Sequence, residues 1–132
     1  MITSLKYIFV DDDEFSNWIY SIVVKEVAGE ADIKTFTVPG EALEFIQTRY
    51  ERMEGPTILF LDINMPGING WEFLVHYAEF SEAVKSQIDI YMLSSSVSEH
   101  DRNMAEGNIN VKGFISKPLT IEMVRSIIEN RF

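Results

Sequence analysis

The 132 residues predict a doubly wound, three-layer α/β domain with five parallel strands in the order 2-1-3-4-5. Three observations carry this prediction. Short apolar runs alternate five times with stretches of helical periodicity. The connections between them are short, which demands a parallel sheet with right-handed crossovers. The clearest run, Ile58-Leu59-Phe60-Leu61, is apolar at every position, as in a strand covered on both faces.

The first strand is Leu5 to Val10, broken by Asp11-Asp12-Asp13-Glu14. A helix follows from Phe15 to Val27 and ends at Gly29. It carries two apolar stripes. Ile19, Tyr20, Val23, Val24 and Val27 form one, and Phe15, Trp18 and Ile22 the other. A helix lying on a sheet needs one such face. Asp32 to Phe36 is the second strand, and Pro39-Gly40 opens a helix with Ala42, Leu43, Phe45 and Ile46 toward the core. The third strand runs into Asp62 and is closed by Pro66-Gly67. A helix from Trp71 to about Phe80 turns Phe73, Leu74 and Tyr77 inward. Ile88 to Leu93 is the fourth strand, ending in Ser94-Ser95-Ser96. Ser98 N-caps a polar helix through Glu106. Val111 to Ser116 is the fifth strand, closed by Lys117-Pro118. Ile121, Val124, Ile127 and Ile128 mark the last helix, with Thr120 capping or leading into it and Phe132 one turn beyond. The strand order expected is the flavodoxin-like one.

The formal charge of −10, with 11 basic and 21 acidic residues, disfavours nucleic-acid and anionic-membrane partners. There is no cysteine, so disulfides and thiolate metal sites are excluded. No apolar stretch is long enough to span a bilayer, and Met1 to Val10 lacks a signal-peptide layout. The expectation is one cytoplasmic domain over residues 1–132 with no output domain after it.

In this fold, ligands gather at the carboxyl ends of the strands. Those ends are Asp11 and Asp12, Asp62, Ser94 and Lys117, on strands one, three, four and five. Three carboxylates brought together repel and call for a cation. All-oxygen ligands without His or Cys suit a hard ion such as Mg²⁺, which binds one or two carboxylates together with phosphate oxygens. The Lys117 charge and the Ser94 hydroxyl suit the oxygens of a phosphoryl group on Asp62.

Four segments at these spacings make the chain resemble a response-regulator receiver domain of two-component signalling, of the chemotaxis-regulator kind. They are Phe9-Val10-Asp11-Asp12-Asp13-Glu14, Leu61-Asp62-Ile63-Asn64-Met65-Pro66-Gly67 with Gly70, Met92-Leu93-Ser94, and Phe114-Ile115-Ser116-Lys117-Pro118. The resemblance covers essentially the whole chain. It implies that Asp62 is the phosphoacceptor. It implies that Asp12 holds Mg²⁺ directly, Asp11 through water, and Asn64 through its backbone carbonyl. It also implies that Lys117 contacts the phosphoryl group and that the Lys117–Pro118 bond is cis. Ser94 and Phe114 take the positions of the family's switch pair. The implied donor is a sensor histidine kinase or a histidine phosphotransfer protein. The docking face is the first helix, at Phe15, Trp18 and Ile22, with Pro118 beside it, and the output partner is unknown. The implied role is a stand-alone phosphorelay protein rather than an enzyme.

Several residues take bland readings. Asp13 and Glu14 are first-turn residues favoured by the helix dipole, Met65 is packing, and His76 and His100 have no role. The chain departs from the pattern at Ser95, where Ala is commoner, and in the six residues between Gly107 and Phe114, longer than the usual connection. Asn64 and Ser96 occupy positions that tune dephosphorylation in the family, and neither is charged. Two other functions compete. A haloacid-dehalogenase-type phosphatase would use Asp11-x-Asp13, but needs an acidic pair after the lysine where only Glu122 and Glu129 follow. A phosphorylation-independent binding module on the same fold would have no use for the full set of Asp11, Asp12, Asp62, Ser94 and Lys117. Flavin binding is disfavoured, since a phosphate loop wants Ser, Thr and Gly amides where this chain has aspartates.

Overall fold

A computed structural model describes residues 5–96 and 98–131. Its strands are β1 (Lys6–Val10), β2 (Asp32–Phe36), β3 (Thr57–Asp62), β4 (Ile88–Ser94) and β5 (Val111–Ser116). Its helices are α1 (Glu14–Ala28), α2 (Pro39–Tyr50), α3 (Gly70–Tyr77), α4 (Glu82–Lys85), α5 (Glu99–Gly107) and α6 (Ile121–Arg131). All strand pairs are parallel, in the order β2-β1-β3-β4-β5. That is the order expected from the alternation of runs. Phe132, expected past the last helix, lies outside the described residues.

Successive side chains of a strand point to opposite faces, and the core divides accordingly. Tyr7, Phe9, Ile58, Phe60 and Leu93 face α1 and α6, which contribute Tyr20, Val24 and Val124. Ile8, Val10, Leu59, Leu61, Ile90 and Met92 face α2, α3, α4 and α5, which contribute Ile46, Phe73, Val84 and Ala105. Phe60 stacks on Phe9 with ring centroids 5.0 Å apart, and Tyr91 lies 6.0 Å away on its other side.

Four local readings need correction. The described residues form six helices, not five, because Ser81 caps a single turn, Glu82–Lys85, that is too short to show a period. The third helix ends at Tyr77, and Phe80 packs against Tyr77 from the turn beyond it. Asp13 is the N-cap of α1, accepting the Phe15 N–H and the Ser16 hydroxyl; it is not inside the first turn. Ile19, read as core, is 39% exposed and belongs to the outer surface of α1.

The stretch between Gly107 and Phe114 also resolves differently. Three of its residues, 108–110, form the connection, and Val111 already begins β5. The Asn108 side chain accepts the Asn110 N–H at 2.9 Å, which closes the turn and leaves Ile109 93% exposed. Lys112 is absorbed by a bulge, since Ile90 pairs with Val111 and Tyr91 with Gly113. Gly113 is needed there, because a Cβ would meet the Tyr91 ring at 2.8 Å.

Candidate functional site

Strand register builds the site. Val10 pairs with Leu61, which sets Asp11 beside Asp62. Asp62 pairs with Leu93, so Ser94 lies one residue beyond on β4. Ser94 pairs with Ser116, and Lys117 follows. Four strands therefore deliver their last polar residues to one edge.

The side chains converge there. Asp11, Asp12 and Asp62 each offer an oxygen within 4.8 Å of the others. Lys117 Nζ lies 3.1 Å from Asp11 Oδ2 and 3.2 Å from Asp62 Oδ1. Asp11 and Asp62 are buried, whereas Asp12 is exposed at the rim. Three carboxylates against one ammonium leave an excess of negative charge. The donors are all oxygen, a set that fits a hard divalent cation.

Electrostatics follow from that crowding. Burial, then the Asp11 charge, push the Asp62 carboxyl up to about 6, against Lys117 and the Asn64 N–H, which pull it down. Burial works against the Lys117 ammonium, but Asp11 and Asp62 outweigh it and raise its pKa. Burial and the Asp11 carboxylate push the Tyr20 hydroxyl up to about 12.

The loop after Asp62 is held closely. Gly67 takes a positive φ of 79°, which lets the chain turn after Pro66. The Gly70 N–H donates to the Ile63 carbonyl at 2.8 Å. A Cβ on Gly70 would meet the Asp62 carbonyl oxygen at 2.8 Å, so only glycine lets α3 start this close to the site. Asn69 and Glu72 form a reciprocal capping box at that start. Asn64 is exposed beside Asp62, and Met65 is buried in the core, as its packing reading requires.

Ser94 is fully buried, and its hydroxyl bonds the backbone of Ser96. It donates to the Ser96 carbonyl at 2.7 Å and accepts the Ser96 N–H at 3.2 Å. Phe114 is half-buried against the core, with the Arg102 guanidinium 5.4 Å from its ring centroid. The Trp71 indole donates to Asp101 at 3.0 Å and ties α3 to the same helix, α5. The Lys117–Pro118 bond is cis and Pro118 is exposed. His76 and His100 are both exposed.

On α1, Phe15 is 63%, Trp18 59% and Ile22 42% exposed, and the Phe15 and Trp18 rings lie 5.7 Å apart. The strip expected to remain outside is outside, one turn from Asp12. On the inner side, two polar contacts to Asp11 escaped the sequence reading. Asn17 Nδ2 donates to the Asp11 carbonyl at 3.0 Å and to Phe36 O at 3.2 Å. The Tyr20 hydroxyl donates to Asp11 Oδ2 at 2.9 Å. Asn17 inside an apolar helix was the available signal, but Tyr20 in an apolar stripe looks like packing.

Comparison with known proteins agrees with this arrangement. The chain is 28% identical to a response regulator receiver protein from Dyadobacter fermentans, covering 96% of this chain and 97% of that one with a TM-score of 0.88. It is 27% identical to a two-component response regulator from Cytophaga hutchinsonii, covering 98% and 97%, also with a TM-score of 0.88. A CheY from Borrelia burgdorferi, seen in complex with CheX, BeF₃ and Mg²⁺, shares the fold at 22% identity and a TM-score of 0.74, over 99% of this chain and 90% of that one. A search of curated proteins gives no match. The family model described as the response regulator receiver domain matches residues 8–129. With nearly the whole chain matched and its strand-end carboxylates and lysine on one edge, this protein belongs to the response regulator receiver domain family.

Proposed function

We propose that this receiver accepts a phosphoryl group on Asp62 from a phosphohistidine and relays that state to a protein partner. The observation that carries the reading is Asp62 itself. It is a buried carboxylate at a strand end, flanked by Asp11 and Asp12 and contacted by Lys117 at 3.2 Å. In the transfer, an Asp62 oxygen attacks phosphorus in line. An O–P bond forms and the P–N bond of the donor breaks. Its electron pair stays on the imidazole nitrogen, which takes a proton from water.

Asp11, Asp12, Asp62 and the Asn64 carbonyl are the groups that would hold Mg²⁺. When bound, the ion supplies positive charge beside the phosphoryl oxygens. Lys117 contributes the protein's own charge to the same oxygens. The Ser94 hydroxyl leaves Ser96 to donate to the phosphoryl group, and Phe114 fills the space it vacates. The Borrelia protein, crystallised with BeF₃ and Mg²⁺, supports this assignment by likeness of fold. The test is mass spectrometry after incubation with acetyl phosphate. Wild type gains one phosphoryl mass in Mg²⁺ and none in EDTA, and Asp62→Asn gains none. Label on that variant at the wild-type level would overturn the reading.

The donor is a sensor histidine kinase or a histidine phosphotransfer protein, resting on Phe15, Trp18 and Ile22 with Pro118 at the edge. Exposed aromatic clusters of this kind mark interaction sites. Trp18→Ala slows transfer from the cognate donor about tenfold or more, the loss expected of an aromatic anchor. Labelling by acetyl phosphate, which needs no docking, stays at the wild-type rate. A fall in both rates together would make Trp18 a support of the fold.

A further inference from the structure

The inner side of α1 carries a hydroxyl that packing does not require. Tyr20 is 5% exposed, and its ring lies 5.3 Å from that of Phe9. A phenylalanine would fill the same space. The hydroxyl reaches instead to Asp11 Oδ2, 2.9 Å away. The same oxygen accepts Lys117 Nζ at 3.1 Å, and Asp11 Oδ1 accepts the Asp13 N–H at 2.9 Å. A carboxylate has about four lone-pair sites. Three donors fill three of them and leave one, on Oδ1. Lys117 is meanwhile 3.2 Å from Asp62 Oδ1, so one ammonium serves two carboxylates.

We propose that Tyr20 is a positioning residue for phosphoryl acceptance at Asp62: its hydroxyl holds the Asp11 carboxylate in one orientation and keeps Oδ2 satisfied when Lys117 turns to the phosphoryl group. This rests on the receiver reading above and extends it to a residue outside the strand ends. Asn17, three residues earlier on the same helical face, holds the Asp11 backbone carbonyl. Helix α1 therefore grips Asp11 at two points, through its main chain by Asn17 and through its side chain by Tyr20. Without the Tyr20 hydroxyl, Lys117 is the sole donor to Oδ2 among the described residues. Asp11 then competes with the phosphoryl group for that lysine, and its carboxylate is freer to rotate away from a cation.

The test is Tyr20→Phe, which keeps the ring and removes the hydroxyl, beside Val24→Ala. Val24 is fully buried one turn further along α1 and makes no polar contact at the site, so its truncation measures packing alone. Two readouts are taken: the Mg²⁺ dissociation constant by calorimetry, and the rate of labelling by acetyl phosphate. Tyr20→Phe weakens Mg²⁺ about tenfold, the usual scale for losing a group that orients a metal ligand, and slows labelling. Val24→Ala lowers the melting temperature and leaves the dissociation constant at the wild-type value. Tyr20→Phe with wild-type Mg²⁺ affinity and labelling overturns the proposal. So does an equal loss of Mg²⁺ affinity in Val24→Ala, because packing would then explain both. If wild type binds Mg²⁺ but takes no label, the receiver reading fails, and the Mg²⁺ titration of Tyr20→Phe still decides the role of the hydroxyl.

Discussion

The two ends of the sheet handle buried polar groups in opposite ways. At the amino end, Gln87 is buried and fully used. Its Nε2 donates to the carbonyls of Tyr50 and Ala83 at 2.7 and 2.8 Å, and its Oε1 accepts the Gly55 N–H at 3.0 Å. The Tyr50 and Thr57 hydroxyls pair with each other at 2.6 Å. At the carboxyl end, three carboxylates crowd together and one lysine reaches two of them, and Asp62 is held well above the ordinary carboxylate range. The neutral side chains of Gln87, Tyr50 and Thr57 each find a partner and stabilise the fold. Like charges at the other end are left in excess, which costs stability and suits a hard divalent cation. The same strands thus carry a structural edge and a reactive edge.

Removing the charge of Asp62 is the strongest way to break this contrast. Its folded pKa of about 6 lies above the 3.8 of an ordinary aspartate. The unfolded chain therefore loses this proton first as pH rises, and the folded state loses stability between pH about 4 and 6. Two pKa units correspond to about 3 kcal/mol. In EDTA at pH 7.5, Asp62→Asn is expected to be more stable than wild type by up to that amount. The gain shrinks to nothing as pH falls below about 4, where Asp62 is neutral in both states. Urea unfolding of the pair at several pH values measures it. A variant less stable than wild type at pH 7.5 would mean that the reactive edge carries no electrostatic cost.

The amino end should respond in the opposite sense. Gln87→Ala leaves the Gly55 N–H and the Tyr50 carbonyl without this partner, a loss of about 2 kcal/mol for buried polar groups. Labelling of Asp62 by acetyl phosphate stays at the wild-type rate. A slower label would show that the two edges are coupled.

The smallest effect expected is that of the cation itself. Mg²⁺ at ten times its dissociation constant stabilises the folded state by about 1.4 kcal/mol through mass action. The shift appears in thermal melts and is absent with matched Na⁺. Asp12→Ala, at the exposed rim of the cluster, removes most of it. An unchanged shift in that variant would place the ion away from the three carboxylates.

Two further surfaces show the limits of local reading. Helix α2 is apolar on the side of Ala42, Leu43 and Ile46, and exposes Glu41, Glu44 and Gln47; one stripe is enough to seat it. Helix α1 is apolar on two sides, so its surplus was visible in the sequence as something the sheet did not need. The assignment of Ile19 was not, because it sits at the border between the stripes and only the tilt of the helix decides its exposure.

By itself the sequence determined the alternation of strands and helices, the polar residues at the strand ends and the surplus apolar face of α1. These are local properties: hydrophobic period, chain-breaking Pro and Gly, and the type of residue that follows each run. The parallel order then forces Asp11, Asp62, Ser94 and Lys117 to one edge, since consecutive short crossovers leave few other arrangements. Tertiary structure alone decided which hydrogen bonds those residues make. Tyr20 and Lys117 meet on one oxygen of Asp11, Arg102 covers Phe114, and Trp71 reaches Asp101. Each of these pairs joins separate elements, so no periodicity within either partner encodes it. The hydroxyl of a tyrosine in an apolar stripe acquires its role only when packing brings it against a buried carboxylate.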